Sequence, residues 1–78
     1  ITNEELRILP NPTTTVVQVE LQTNTGQLEL LNINGQVLQT KRITNLKESI
    51  DLSSYPDGIY FIKVVSGSSV YTGKVIKM

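Results

Sequence analysis

The side chains able to do chemistry here are seven acids and seven bases. The acids are Glu4, Glu5, Glu20, Glu29, Glu48, Asp51 and Asp57, and the bases are Arg7, Lys41, Arg42, Lys47, Lys63, Lys74 and Lys77. Carboxylates can cleave glycosidic bonds when two of them flank a cleft. They can hold calcium when spaced D-x-D-x-D in one loop. Neither arrangement is written in this chain, and so short a fold has little room for a cleft. Histidine and cysteine are absent. That removes the commonest general base, the commonest zinc ligands and the thiol nucleophile. The serines and lysines form no nucleophile motif, and no glycine-rich phosphate loop is present. Glu29 alternates with Leu28 and Leu30, which reads as a solvated strand position. Asn11-Pro12-Thr13 has the outline of a glycosylation acceptor, but proline in the middle excludes it. The expectation is a chain that is no enzyme and has no cofactor and no metal site.

What must position these residues is small. Seventy-eight residues make one domain, residues 1–78, with a thin core. The net charge is zero and the bases are scattered, which argues against a nucleic-acid partner. Without cysteine there is no disulfide framework. No apolar run approaches the roughly 20 residues that span a bilayer. No signal-peptide pattern opens the chain, so an export leader would lie on another segment.

The texture is β. Val17-Gln18-Val19-Glu20-Leu21 alternates apolar and polar residues, as a half-buried strand requires. Val, Ile, Thr and Tyr recur in short runs broken by Gly, Pro, Asn and Ser. Seven strands are expected, near residues 6–9, 16–22, 27–33, 36–42, 48–52, 59–65 and 70–77. Pro10 and Pro12 lack backbone donors and end the first strand. Asn34-Gly35 suits a two-residue type I′ hairpin. Ser66-Gly67-Ser68 reads as a looser hairpin, and Thr23-Asn24-Thr25-Gly26 as a polar connection. Asn45 with Glu48 three residues on has the outline of a helix cap. Only about two turns would fit there, so a strand is preferred.

Seven short strands without a βαβ pattern predict an all-β, antiparallel, immunoglobulin-like β-sandwich. Pro56-Asp57-Gly58-Ile59-Tyr60 adds a local sign. A Tyr just after a Pro-containing corner resembles the tyrosine corner of such domains, where its hydroxyl returns to upstream backbone.

Four motifs then resemble one family. Leu9-Pro10-Asn11-Pro12 is similar to the box that opens type IX secretion C-terminal sorting domains of the type A (Por secretion system) class. Asn34-Gly35-Gln36-Val37-Leu38 resembles their mid-domain turn. The segment from Ile50 to Val64, with Gly58 and Tyr60, resembles their longest block, except that Tyr55 stands where the family most often has Leu. Lys74-Val75-Ile76-Lys77 resembles their tail. The motifs come in order and cover nearly the whole chain.

The resemblance implies a secretion signal at the C-terminus of a larger cargo protein from a Gram-negative bacterium. The cargo would cross the inner membrane by its own signal and pass through the periplasm. The outer-membrane type IX translocon would recognise the domain, and a sortase-like peptidase would remove it. The cargo would end outside the cell or on its surface. The family fold is a seven-stranded immunoglobulin-like sandwich, in line with the strand count.

Two features are candidates for recognition. In the sixth expected strand Gly58, Tyr60, Ile62 and Val64 share one face. Ile59, Phe61 and Val65 share the other, interrupted by Lys63. A strand apolar on both faces in a small sandwich predicts an outer apolar patch, to which Leu31 and Ile33 would add if the third and sixth strands are neighbours. The tail Lys74, Val75, Ile76, Lys77 is the second. On an edge strand its backbone would be open to a partner's sheet. Two other readings compete. A fibronectin-like or carbohydrate-binding module would expose aromatics, yet Trp is absent and the aromatics are Tyr55, Tyr60, Phe61 and Tyr71. A passive adhesin repeat would predict tandem copies, whereas a chain closing on Lys77-Met78 suits a true terminus.

Overall fold

The computed structural model describes residues 3–78 and contains no helix among them. Its strands are β1 (Asn3–Glu5), β2 (Arg7–Leu9), β3 (Val16–Glu20), β4 (Gln27–Leu31), β5 (Val37–Arg42), β6 (Lys47–Asp51), β7 (Gly58–Ser66) and β8 (Ser69–Lys77). Seven of them, β2 to β8, fall where the periodicity predicts. They form two antiparallel sheets, β2-β3-β6 and β8-β7-β4-β5. The chain passes between the sheets at β3–β4, β5–β6 and β6–β7, the crossed connectivity of an immunoglobulin-like sandwich. The eighth strand, β1, adds to the larger sheet and runs parallel to β8. The N-terminal segment therefore changes sheet at Leu6, between β1 and β2.

Alternation decides which side chains meet between the layers. Val17 and Val19 of β3 and Ile50 of β6 face Leu28, Leu30, Ile62, Val64 and Val75 of the other sheet, all essentially closed to water. Each such aliphatic contributes about 1.5–3 kcal/mol relative to exposure. Tyr55 is partly buried against the same core, so it fills the position where leucine is usual. The two long sides of the sandwich close differently. On one, Gly73 leaves room for Ile8: a Cβ at 73 would stand 2.6 Å from Ile8 Cδ1. On the other, polar side chains of β5 reach across to the rim of β6. Gln39 Nε2 donates to the Asp51 carbonyl at 3.0 Å, and Lys41 Nζ donates to the Ser49 carbonyl at 3.1 Å.

Two turns differ from expectation. Asn34-Gly35 is not a type I′ turn, because only Gly35 has positive φ, at 83°. The hairpin closes at Asn32 and Gln36, leaving a three-residue loop of Ile33, Asn34 and Gly35. The Asn32 side chain selects this form by accepting from the Asn34 and Gln36 N–H groups. Gly35 then takes the left-handed position that follows the turn. The Ser66-Gly67-Ser68 hairpin is tighter than expected. Ser66 pairs with Ser69, and positive φ is confined to Gly67, at 61°, as a two-residue type II′ loop needs.

The cap outline at Asn45 and Glu48 serves a loop, not a helix. Glu48 lies in β6 and is buried. Its Oε2 accepts from the N–H groups of Thr44 and Asn45 at 3.0 and 3.2 Å, and Lys41 Nζ lies 3.1 Å from its Oε1. The Thr44 bond first, helped by Lys41 and Asn45 and opposed by burial, holds this carboxyl below the usual glutamate range.

Candidate functional site

The tyrosine corner is present. Tyr60 is buried in β7 and its hydroxyl donates to the Pro56 carbonyl. The ring centroids of Tyr55 and Tyr60 are 6.0 Å apart and tilted by 47°. Tyr55 in turn donates to the Leu38 carbonyl at 3.4 Å. The corner pins the start of β7, where Gly58 pairs with Lys77.

From that start β7 presents two apolar rows. Tyr60, Ile62 and Val64 point into the core, while Ile59, Phe61 and Val65 are exposed on the outer face. β4 and β7 are neighbours, and the register sets Leu31 opposite Phe61. Leu31 also pairs with the exposed Val37 of β5. On the other flank Ile59 pairs with Ile76, and Phe61 with Lys74. The result is an apolar stripe across four strands at one pole of the sheet, with Lys63 and Lys74 on the same face. Ile33, at the loop tip of that pole, is 68% exposed.

The four tail residues separate by strand alternation. Val75 is fully buried; it is a core residue, and its side chain meets no partner while the domain is folded. Lys74 and Ile76 point outward beside the stripe. Lys77 is engaged within the domain: its side chain is only 10% exposed and its Nζ lies 3.1 Å from Asp57 Oδ1.

The backbone edge of the tail is not open, contrary to expectation. β1 covers Val70 to Thr72, and the Leu6 N–H continues onto the Thr72 carbonyl at 3.0 Å. Asn11 takes over next. Its Nδ2 donates to the Lys74 carbonyl at 2.7 Å, and its Oδ1 accepts from the Ile76 N–H at 2.9 Å. Thr13 completes the cover, its N–H on the Ile76 carbonyl at 2.8 Å and its carbonyl on the Met78 N–H at 2.9 Å. Pro10 and Pro12, both exposed and without donors, flank the asparagine and stop the segment from pairing as a strand itself. A groove of about 450 Å³ lies beside this seam, with Leu6, Ile8, Asn11, Phe61 and Lys74 among its walls.

The opening box and the closing tail are thus one structural unit. Sequence reasoning singled out both, but it missed Thr13, Asp57 and the Lys41–Glu48 pair. Thr13 is buried, with its hydroxyl donating to the Val16 carbonyl at 2.8 Å. The only sequence trace of that role is its place directly after Pro12. Asn34 and Gly35 form the exposed turn at the striped pole, where their backbone N–H groups bond to Asn32. Among the described residues no group of three or more acids comes together as a metal site, and no helix is long and apolar enough to cross a membrane.

A family model for the secretion system C-terminal sorting domain matches residues 7–78. The chain belongs to this family. The match begins at β2 and takes in the box, the turn, the corner and the tail. The sorting domain is a signal of the type IX system, which directs a larger protein out through the outer membrane to the surface or beyond. It implies an upstream cargo and recognition by the secretion machinery. The reading as a sugar-binding or fibronectin-like module is not favoured. No curated protein matches the chain.

Proposed function

We propose that the sorting domain is read through its outer striped face, with Phe61, Lys74 and Ile76 as the contact residues and Val75 and Lys77 as their internal anchors. The observation that carries this is the register of β4, β7 and β8. It sets Leu31, Phe61 and Lys74 in one row and Ile59 and Ile76 in the next. Contiguous exposed apolar surface on a small domain marks an interaction site more than scattered single residues do. The two lysines beside it suit a partner with acidic groups around an apolar centre.

In this reading the chain acts as a single unit, residues 1–78, and does no chemistry of its own. It passes through the periplasm folded, docks on the outer-membrane type IX translocon, and is cut from its cargo by the sortase-like peptidase. The test is export of a fluorescent reporter. The chain Ile1–Met78 is fused to it behind an inner-membrane export signal, in a bacterium with a working type IX system and in a translocon-deficient strain. Reporter outside the first and held in the periplasm of the second is the expected result. Phe61→Glu, at a residue 38% exposed, is expected to remain folded and to trap the reporter. Normal export of a folded Phe61→Glu chain would remove the striped face from the reading.

A further inference from the structure

We infer that Asn11 is a positioning residue of the sorting signal: its carboxamide stands in for a missing strand and holds the tail in the geometry that displays Lys74 and Ile76. The inference rests on the striped face being the recognised surface.

The outward backbone groups of β8 need partners along its full length. The N-terminal segment supplies main-chain partners at both ends of this edge, through Leu6 on Thr72 and through Thr13 on Ile76 and Met78. Between them the segment is elsewhere, because β2 pairs with β3 in the opposite sheet. The Lys74 carbonyl and the Ile76 N–H fall in that gap. A carboxamide carries the same donor and acceptor as a peptide unit, and Asn11 places them at 2.7 and 2.9 Å from these two groups. Aspartate would lack the donor, and glutamine would be a methylene too long.

The consequence is specific to the tail. Lys74, opposite Phe61, and Ile76, opposite Ile59, are the two tail residues on the striped face, and Asn11 holds the backbone of both. Without the carboxamide the stretch from the Lys74 carbonyl to the Ile76 N–H is held from β7 alone, with Thr13 as the next partner at the Ile76 carbonyl, and strand ends held from one side fray. Asn11 itself is exposed, so its removal opens no cavity in the core.

The experiment compares Asn11→Ala with Val64→Ala, a core truncation opposite Tyr71, upstream of the tail residues, that lowers global stability. Amide exchange by NMR and reporter export are read for both. In Asn11→Ala the Ile76 amide is expected to exchange at least about tenfold faster, while the Ile62 amide changes no more than in Val64→Ala. Export is expected to fall well below that of Val64→Ala. Unchanged protection at Ile76 overturns the inference, and so does export equal to that of the core variant. Failure of the underlying reading shows separately: folded Phe61→Glu and Ile76→Ser chains would then export normally, with no Asn11 variant involved.

Discussion

The ammonium of Lys77 sits 3.1 Å from the carboxylate of Asp57, joining the last strand to the corner that opens β7. Asp57 is largely exposed while Lys77 is nearly covered, so the lysine gives up its freedom to water and the aspartate does not. This asymmetry accounts for a charged residue in the tail that faces inward to the fold.

Replacing Lys77 by Ala is expected to cost about 0.5–1 kcal/mol from the ion pair, with some further loss from the packed stem. Urea unfolding at low and high salt checks it. The ion-pair part is expected to shrink as salt is added, whereas a salt-independent deficit would assign the whole effect to packing.

The tyrosine corner makes a sharper prediction. Tyr60→Phe keeps the ring and leaves the Pro56 carbonyl without its donor. The expected loss is about 1–2 kcal/mol, seen as a lower denaturant midpoint with an unchanged slope. A midpoint equal to the native one would mean that the hydroxyl bond adds nothing over water.

Glu48 predicts the acid limb of stability. Its folded-state pKa is lowered from the ordinary 4.5, above all by the Thr44 N–H. The ionised carboxylate therefore favours the fold. That contribution is complete above pH 4.5 and disappears as pH falls through the lower folded-state value. Glu48→Gln is expected to be less stable at neutral pH by about 1–3 kcal/mol and to lose less on acidification. Asp51, lowered chiefly by the Ser53 N–H, shifts in the same direction, so some acid slope remains. An unaltered acid slope in Glu48→Gln, followed by thermal unfolding from neutral to pH 3, would contradict the assignment.

Gly26 is the position least open to a side chain. Its φ is 114°, and a Cβ there would lie 2.3 Å from the Val65 carbonyl oxygen. That oxygen belongs to the backbone, so it cannot step aside as a flexible side chain would. Gly26→Ala is expected to cost about 3 kcal/mol or more. Gly35→Ala, with similar φ but open space around it, is expected to cost about 1 kcal/mol. Comparable losses in the two would mean that strain alone, and not the close approach, governs Gly26.

Most strands were legible because one physical rule writes them locally. Alternation at Val17 and Val19, at Leu28 and Leu30, and at Tyr60, Ile62 and Val64 is visible in the chain and is what a half-buried sheet face demands. The doubly apolar β7 announced an outer patch for the same reason. The turn at Asn34-Gly35 was misread because the choice of loop length turns on Asn32, a residue outside the dipeptide. Its side chain bonds two backbone N–H groups that no dipeptide rule considers.

The sequence by itself determined strands β2 to β8, the corner and the family, since each depends on residues close together in the chain and on their order. Tertiary structure decided the fate of the tail. Val75 is core, Lys77 is paired, and the edge of β8 is bridged by Asn11, which lies 63 and 65 positions from the two residues it holds. Periodicity tells which side of a strand a residue faces, but not what covers the strand's edge. Edge cover depends on where a distant segment returns, and here Leu6 leaves one sheet for the other so that Asn11 must bridge the gap it leaves.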